Sequence, residues 1–161
     1  MHLPTLLTAL SLSPLAHSIS LPSTWWTNRA APQALGNAIV TNNCANPIYL
    51  WSVGGSAGAQ STIKPQHAYT EPYRVDDQTG GVALKITTEE NELYRNAPQL
   101  ILAYALGLQT QRLYYDLSEK FGSPFRGHDV RLFAQGTEND GKAKADADVV
   151  IVWKNGVQPR G

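Results

Sequence analysis

The sequence predicts an all-β sandwich. Three observations carry that expectation. The 161 residues have the size of one ordinary domain. From Asn37 onward, strand-length apolar or alternating runs recur at near-regular spacing, each bounded by Gly, Pro, Asn or Asp. No stretch sustains an amphipathic helix of three turns, which an α/β fold would need.

The elements follow in chain order. Residues 1–18, "MHLPTLLTALSLSPLAHS", hold a Leu-rich core from Leu3 to Leu15 without an ionised side chain and too short to span a bilayer, the profile of a secretory signal peptide. Ala16 and Ser18 are small residues at the −3 and −1 positions, so cleavage is expected after Ser18. A cut after Ala16 would instead expose His17 as an amino-terminal copper chelator, but Pro14 would then stand at −3. Residues 19–36 mix Pro, Ser, Ala and Asn with no sustained period and read as a flexible tether or propeptide. The Trp25–Trp26 pair within them is a candidate contact for a sugar or a partner protein, or a pair folded back on the nearest apolar groove.

The domain proper is expected over residues 37–161. Its strand candidates are "NAIVTN", "PIYLWSV", "QSTI", "AYTEPYRV", "GVALKITT", "QLILAYAL", "RLYYDL", "DVRLFAQ" and "DVVIVWK". In the second, Ile48, Leu50 and Ser52 face one way and Tyr49, Trp51 and Val53 the other, so both faces are suited to burial, as in a core strand of a sandwich. The glycine-rich "VGGSAGA" lies between two strand candidates and reads as a flexible hairpin. Asp76 and Asp77 precede a Gly-Gly pair, which suits a tight turn better than a calcium loop, since no third ligand follows at the required spacing. "LSEKF" reads as one helical turn, and the polar "GTENDGKAKADAD" as an exposed loop between the last two strands.

Composition narrows the function. Lys plus Arg number 13, Asp plus Glu number 13, and only 16% of residues are charged. No surplus of charge is available to draw nucleic acid or anionic lipid, and no membrane span is expected. The chain has no G-x-S-x-G elbow, no H-E-x-x-H and no Gly-rich phosphate loop between a strand and a helix. His67 and His128, the two histidines after residue 18, have no spacing that implies a common metal site. No cofactor is implied.

At this point the order of motifs resembles a known family. "GNAIVTNNC" followed by an apolar strand with Trp, then "GGVALKIT", "PQLILAYAL", "YYDLSEKFGSPFRG" and "VWKNGVQPRG", is similar to the fungal yeast-phase-specific or antigenic thaumatin-like secreted proteins, and more distantly to plant thaumatins and osmotins. The resemblance implies a thaumatin-like β-sandwich at the cell wall or outside the cell. It also implies that Cys44, the single cysteine, is half of a bridge whose partner lies in a final strand beyond the "VWKNGVQPRG" segment. This sequence carries no such partner. The expectation is therefore a sandwich lacking its C-terminal strand, with an unpaired Cys44, an unpaired sheet edge, and the loss of about 4 to 5 kcal/mol that a bridge closing so long a loop supplies in the chain-entropy model. The open alternatives are a buried inert thiol in a monomer, or a Cys44-linked dimer.

Some thaumatin-like proteins bind or hydrolyse β-1,3-glucan in an acidic cleft, where one carboxylic acid protonates the leaving oxygen and a second assists water or the sugar cation. Asp116 in "YYDLS" matches one of those acids. The position of the cleft Glu falls near Tyr104, and that of a further Asp at Phe121. One carboxylate cannot divide the acid and base roles. The expectation is a non-enzymatic protein that binds wall β-glucan or a host or cell-surface protein, with Asp116, Trp25 and Trp26 as candidate contacts. The alternative is a weak glucan hydrolase centred on Asp116, and the bland reading of Asp116 is a turn or cap carboxylate ahead of "LSEKF".

Overall fold

The computed structural model describes residues 36–110, 112–134 and 148–159. The expected signal peptide and tether, Trp25 and Trp26, and the polar loop before Asp148 lie outside the described residues. Among the described residues the chain forms nine strands: β1 (Asn37–Thr41), β2 (Ile48–Val53), β3 (Ser61–Ile63), β4 (Ala68–Pro72), β5 (Val82–Thr87), β6 (Gln99–Gly107), β7 (Arg112–Lys120), β8 (Val130–Ala134) and β9 (Asp148–Trp153). Each falls on one of the runs read from the sequence. A 3-10 turn follows β9 at Lys154–Gly156.

The strands build two layers. One is a five-stranded antiparallel sheet in the order β3-β2-β5-β6-β7. The other consists of two antiparallel pairs, β1-β4 and β8-β9. Both pairs turn side chains onto the same apolar core: Ala38 and Tyr69 from the first, Leu132 and Trp153 from the second, against Leu50, Leu84, Leu100 and Leu117 of the large sheet. Directly paired residues of an antiparallel sheet share a face. The core face of the large sheet therefore carries the rows Leu50–Ile86–Leu100 and Ser52–Leu84–Leu102–Leu117. At about 25 cal/mol per Å² of apolar surface, this contiguous cluster is the main favourable term for the fold.

Turn chemistry fixes the joints. Asn42, only 1% exposed, organises the "NCAN" crossover from β1 to β2. Its amide nitrogen donates to the Asn46 and Ile63 carbonyls at 2.9 Å each, and its Oδ1 accepts from the Cys44 N–H at 2.9 Å. "VGGSAGA" is the β2-β3 hairpin, closed by Gly54 N–H to the Ser56 carbonyl and by a bridge from Val53 to Ala57. Asp76 and Asp77 do form a turn: Asp76 Oδ1 accepts from Gln78 N–H, Thr79 N–H and the Thr79 hydroxyl. The hairpin rests on that turn so closely that a Cβ on Gly54 would collide with the Asp76 carboxylate.

One sequence expectation fails. "LSEKF" is not a helical turn, because β7 continues in unbroken register with β6 through Lys120, which pairs with Gln99. The chain reverses only at Phe121 and Gly122, both at positive φ. Leu117 explains the difference: extended backbone keeps it on the core face opposite Leu102, where it is buried.

Candidate functional site

The outer face of the large sheet is the other half of the alternation. Its rows are Trp51–Lys85–Ile101–Ser118 and Val53–Ala83–Ala103–Asp116, with Ala105–Tyr114 and Gly107–Arg112 beyond them. The β5-β6 loop folds over one end. There Gln99, 1% exposed, donates from its amide to the Leu93 carbonyl at 2.9 Å, Leu93 is itself buried, and Trp51 is only 6% exposed. Thus the outer face of β2 is buried at Trp51, as its alternation predicts, while Tyr49 and Val53 on the same face are only half-buried.

Away from that loop the face is shallow and floored by small side chains, Val53, Ala83, Ala103 and Ala105, all half-buried. Along one side stands β7, whose outward residues Arg112, Tyr114, Asp116, Ser118 and Lys120 alternate with core-facing ones. At about 3.3–3.4 Å per residue this line is roughly 27 Å long. Tyr114 is 54% exposed, and Asp116 is exposed beside it. The arrangement offers an aromatic ring flanked by a cation and a carboxylate over a smooth apolar floor. Asp116 is therefore neither a turn nor a cap residue. It lies mid-strand opposite Ala103, and it is the one carboxylate that the described strands present on this face.

Tyr104 and Phe121, the positions of the resemblance's other acids, differ in kind. Phe121 is exposed at the end of β7, with Lys120 Nζ 4.9 Å from its ring centre. Tyr104 faces the core and donates from its hydroxyl to Glu71 Oε1 at 2.6 Å, while Tyr69 donates to Glu71 Oε2 at 2.7 Å. Burial pushes the Glu71 carboxyl up, but the bonds from Tyr104, Tyr69 and Ser52, with the charge of Arg74, outweigh it and hold it below the usual range. Burial and then Glu71 push Tyr69 up to about 12 and raise Tyr104 as well. Glu71 is thus an ionised acceptor locking β4 to β6 inside the sandwich. An acid held ionised has no proton to give a leaving group at neutral pH. Sequence reading missed Glu71, although the alternation of Tyr69 and Glu71 in β4, continued by Tyr73 just past its end, signals that all three share the inward face.

Cys44 is elsewhere. It is half-buried and packs against the core cluster from the β1-β2 loop. A surface groove of about 300 Å³ passes it, lined also by Tyr49, Thr88, Phe125, Arg126 and His128. Asp116 does not line that groove, so the structure does not bring the two candidates together. Among the described residues no three His, Cys, Asp or Glu side chains converge to hold a metal ion, and no helix is long and apolar enough to cross a membrane.

A two-layer antiparallel sandwich with one sheet face partly open defines a small all-β domain. The chain belongs to the family described as the Blastomyces yeast-phase-specific protein, whose model matches residues 27–161. It is 34% identical over 92 residues to the antigenic thaumatin-like protein of Arthroderma benhamiae, a match covering 56% of this chain and 44% of that one. It is 30% identical over 125 residues to the secreted thaumatin-like protein calA of Emericella nidulans, covering 71% of this chain and 70% of the other. The chain thus spans less than half the length of the first relative. Among solved structures, the protein elicitor MoHrip2 of Magnaporthe oryzae superposes with a TM-score of 0.50 at 20% identity, over 72% of this chain and 93% of that one. That likeness concerns the fold alone and agrees with a β-sandwich.

Proposed function

We propose that the protein is secreted and binds cell-wall β-glucan along the outer face of β7 without hydrolysing it. Secretion is supported by the apolar leader of residues 1–18 and by the names of the two fungal relatives, one antigenic and one secreted. The observation that carries the binding reading is the row Arg112–Tyr114–Asp116–Ser118–Lys120 beside the Ala103–Ala105 floor. A sugar ring stacks on an exposed aromatic, and its hydroxyls take hydrogen bonds from neighbouring charged and hydroxyl side chains. Asp116 stands there without a second strand-borne carboxylate, whereas glycoside hydrolysis needs a pair spaced across the scissile bond.

The test is a pull-down on insoluble β-1,3-glucan with reducing-sugar release followed in the same tubes. Retention without release, weakened by Tyr114→Ala and by Asp116→Ala, is the expected result. Release of sugar that disappears in Asp116→Ala would establish the hydrolase alternative instead. Failure to bind would overturn the glucan reading and turn attention to a host or cell-surface protein.

A further inference from the structure

We infer that two copies of this chain associate through the outer edge of β7, pairing as antiparallel strands about a two-fold axis. The large sheet has two edges, and they differ sharply. β3, at one end, is three residues long. β7, at the other, is nine residues long, contains no proline, and pairs with β6 without a bulge. Edges of that length and regularity are templates for another strand unless something blunts them.

Among the described residues, one end of this edge is blunted. The Glu119 N–H donates to Gln158 Oε1 at 3.1 Å, and the Gln158 N–H returns to Glu119 Oε2 at 3.1 Å. The Glu119 amide therefore points away from β6. Since amide direction alternates along a strand, those of Leu113, Tyr115 and Leu117 point outward too. None of these three has a hydrogen-bond partner among the described residues. Tyr114 and Tyr115 flank the edge at 54% and 40% exposure.

The occupant follows from the pattern of β7 itself. A two-fold axis normal to the sheet keeps every side chain on its own face, so only registers that pair odd with odd and even with even positions are allowed. Centring on Tyr114 sets Arg112 opposite Asp116 of the second copy, and Asp116 opposite its Arg112. Leu113 and Tyr115 then exchange the outward backbone hydrogen bonds. The charged pairs fall at non-hydrogen-bonded positions, where cross-strand side chains approach most closely. Centring on Tyr115 leaves both charges without a partner, and centring on Asp116 sets like charges face to face. Centring on Ser118 would also set opposite charges together, Asp116 against Lys120, but it needs the Glu119 amide that Gln158 already occupies. Charge complementarity and that capped end thus select a second copy of this chain, in one register. One strand-to-strand contact lies at the small end of specific interfaces, so the association is concentration-dependent in the micromolar range.

The inference does not rest on glucan binding, and its test contains no glucan. Sedimentation velocity of the full chain, in reductant so that Cys44 cannot link copies, is run from low to high micromolar protein. The account expects a reversible monomer–dimer equilibrium that Arg112→Asp or Asp116→Arg each weaken about tenfold or more. Combining the two substitutions restores it, because the reversed charges again face their opposites. Both positions are exposed, and far-UV circular dichroism checks that the fold is kept. A monomer at every concentration, a dimer indifferent to the single reversals, or a double variant that stays dissociated would each overturn the inference.

Discussion

The Tyr104 hydroxyl on β6 donates to Glu71 Oε1 on β4 at 2.6 Å, joining the two layers of the sandwich through a carboxylate that also accepts from Tyr69. Tyr104 is only 3% exposed. Replacing it with Phe removes the donor and leaves a half-buried carboxylate short of a partner. Hydrogen bonds to charged groups contribute about 1.5–3 kcal/mol. Chemical denaturation of Tyr104→Phe should show a loss of that order; a loss under ~0.5 kcal/mol would mean that the bond does not lock the layers.

The same cluster sets the alkaline limit. Tyr69 and Tyr104 have folded-state values raised above the unfolded phenol near 10, Tyr69 to about 12. A raised value means that the folded chain holds the proton more tightly. The contribution is therefore complete below about pH 10 and disappears as pH rises through the folded values. Stability should fall from pH ~10 upward, with these phenols ionising late in an absorbance titration or together with unfolding. Ionisation of all seven tyrosines in one step near pH 10, with the fold intact, would contradict the cluster.

At the acid end the group to watch is Asp76. The Gly55 N–H, then the Thr79 hydroxyl and Thr79 N–H, lower its carboxyl to about 2. A lowered value contributes stability above the unfolded value near 4 that is lost as pH falls toward 2. Asp76→Asn should flatten the pH dependence of stability between pH 4 and about 2. An unchanged acid profile would show that the β4-β5 turn does not brace the β2-β3 hairpin.

Asn42 is the most demanding polar residue in the core. Its side chain satisfies two carbonyls and one amide in the crossover that carries Cys44. Asn42→Ala leaves the buried Ile63 carbonyl without this partner, at about 1–3 kcal/mol, and frees the part-buried Asn46 carbonyl and Cys44 N–H. Thermal unfolding should register a lower midpoint, and Cys44 should react faster with a thiol reagent. Equal thiol reactivity in wild type and variant would separate the Asn42 network from the cover over Cys44.

The strands were legible because two local signals coincide in each: alternation that fits a half-buried pleat, and flanking residues that break it. Leu50, Leu84 and Leu102 announce the core face in this way. The pairing of those strands is non-local and was not legible; nothing near "NAIVT" marks β4 rather than β2 as its partner. "LSEKF" misled because Glu and Lys favour helix locally, while burial of Leu117 opposite Leu102 decides for strand. Glu71 escaped notice because its significance lies in Tyr104, 33 positions away and in the other layer. Asp116 was found, but its surroundings were not, since a turn carboxylate and a mid-strand carboxylate look alike until register is known.

Retention on insoluble β-1,3-glucan, compared for wild type, Tyr114→Ala and Asp116→Ala, decides whether the outer face of β7 binds the polysaccharide. The account predicts that wild type is retained, that no reducing sugar appears, and that each substitution lowers affinity about tenfold, the equivalent of ~1.4 kcal/mol. Retention that neither substitution alters, or no retention at all, would contradict binding along the outer face of β7.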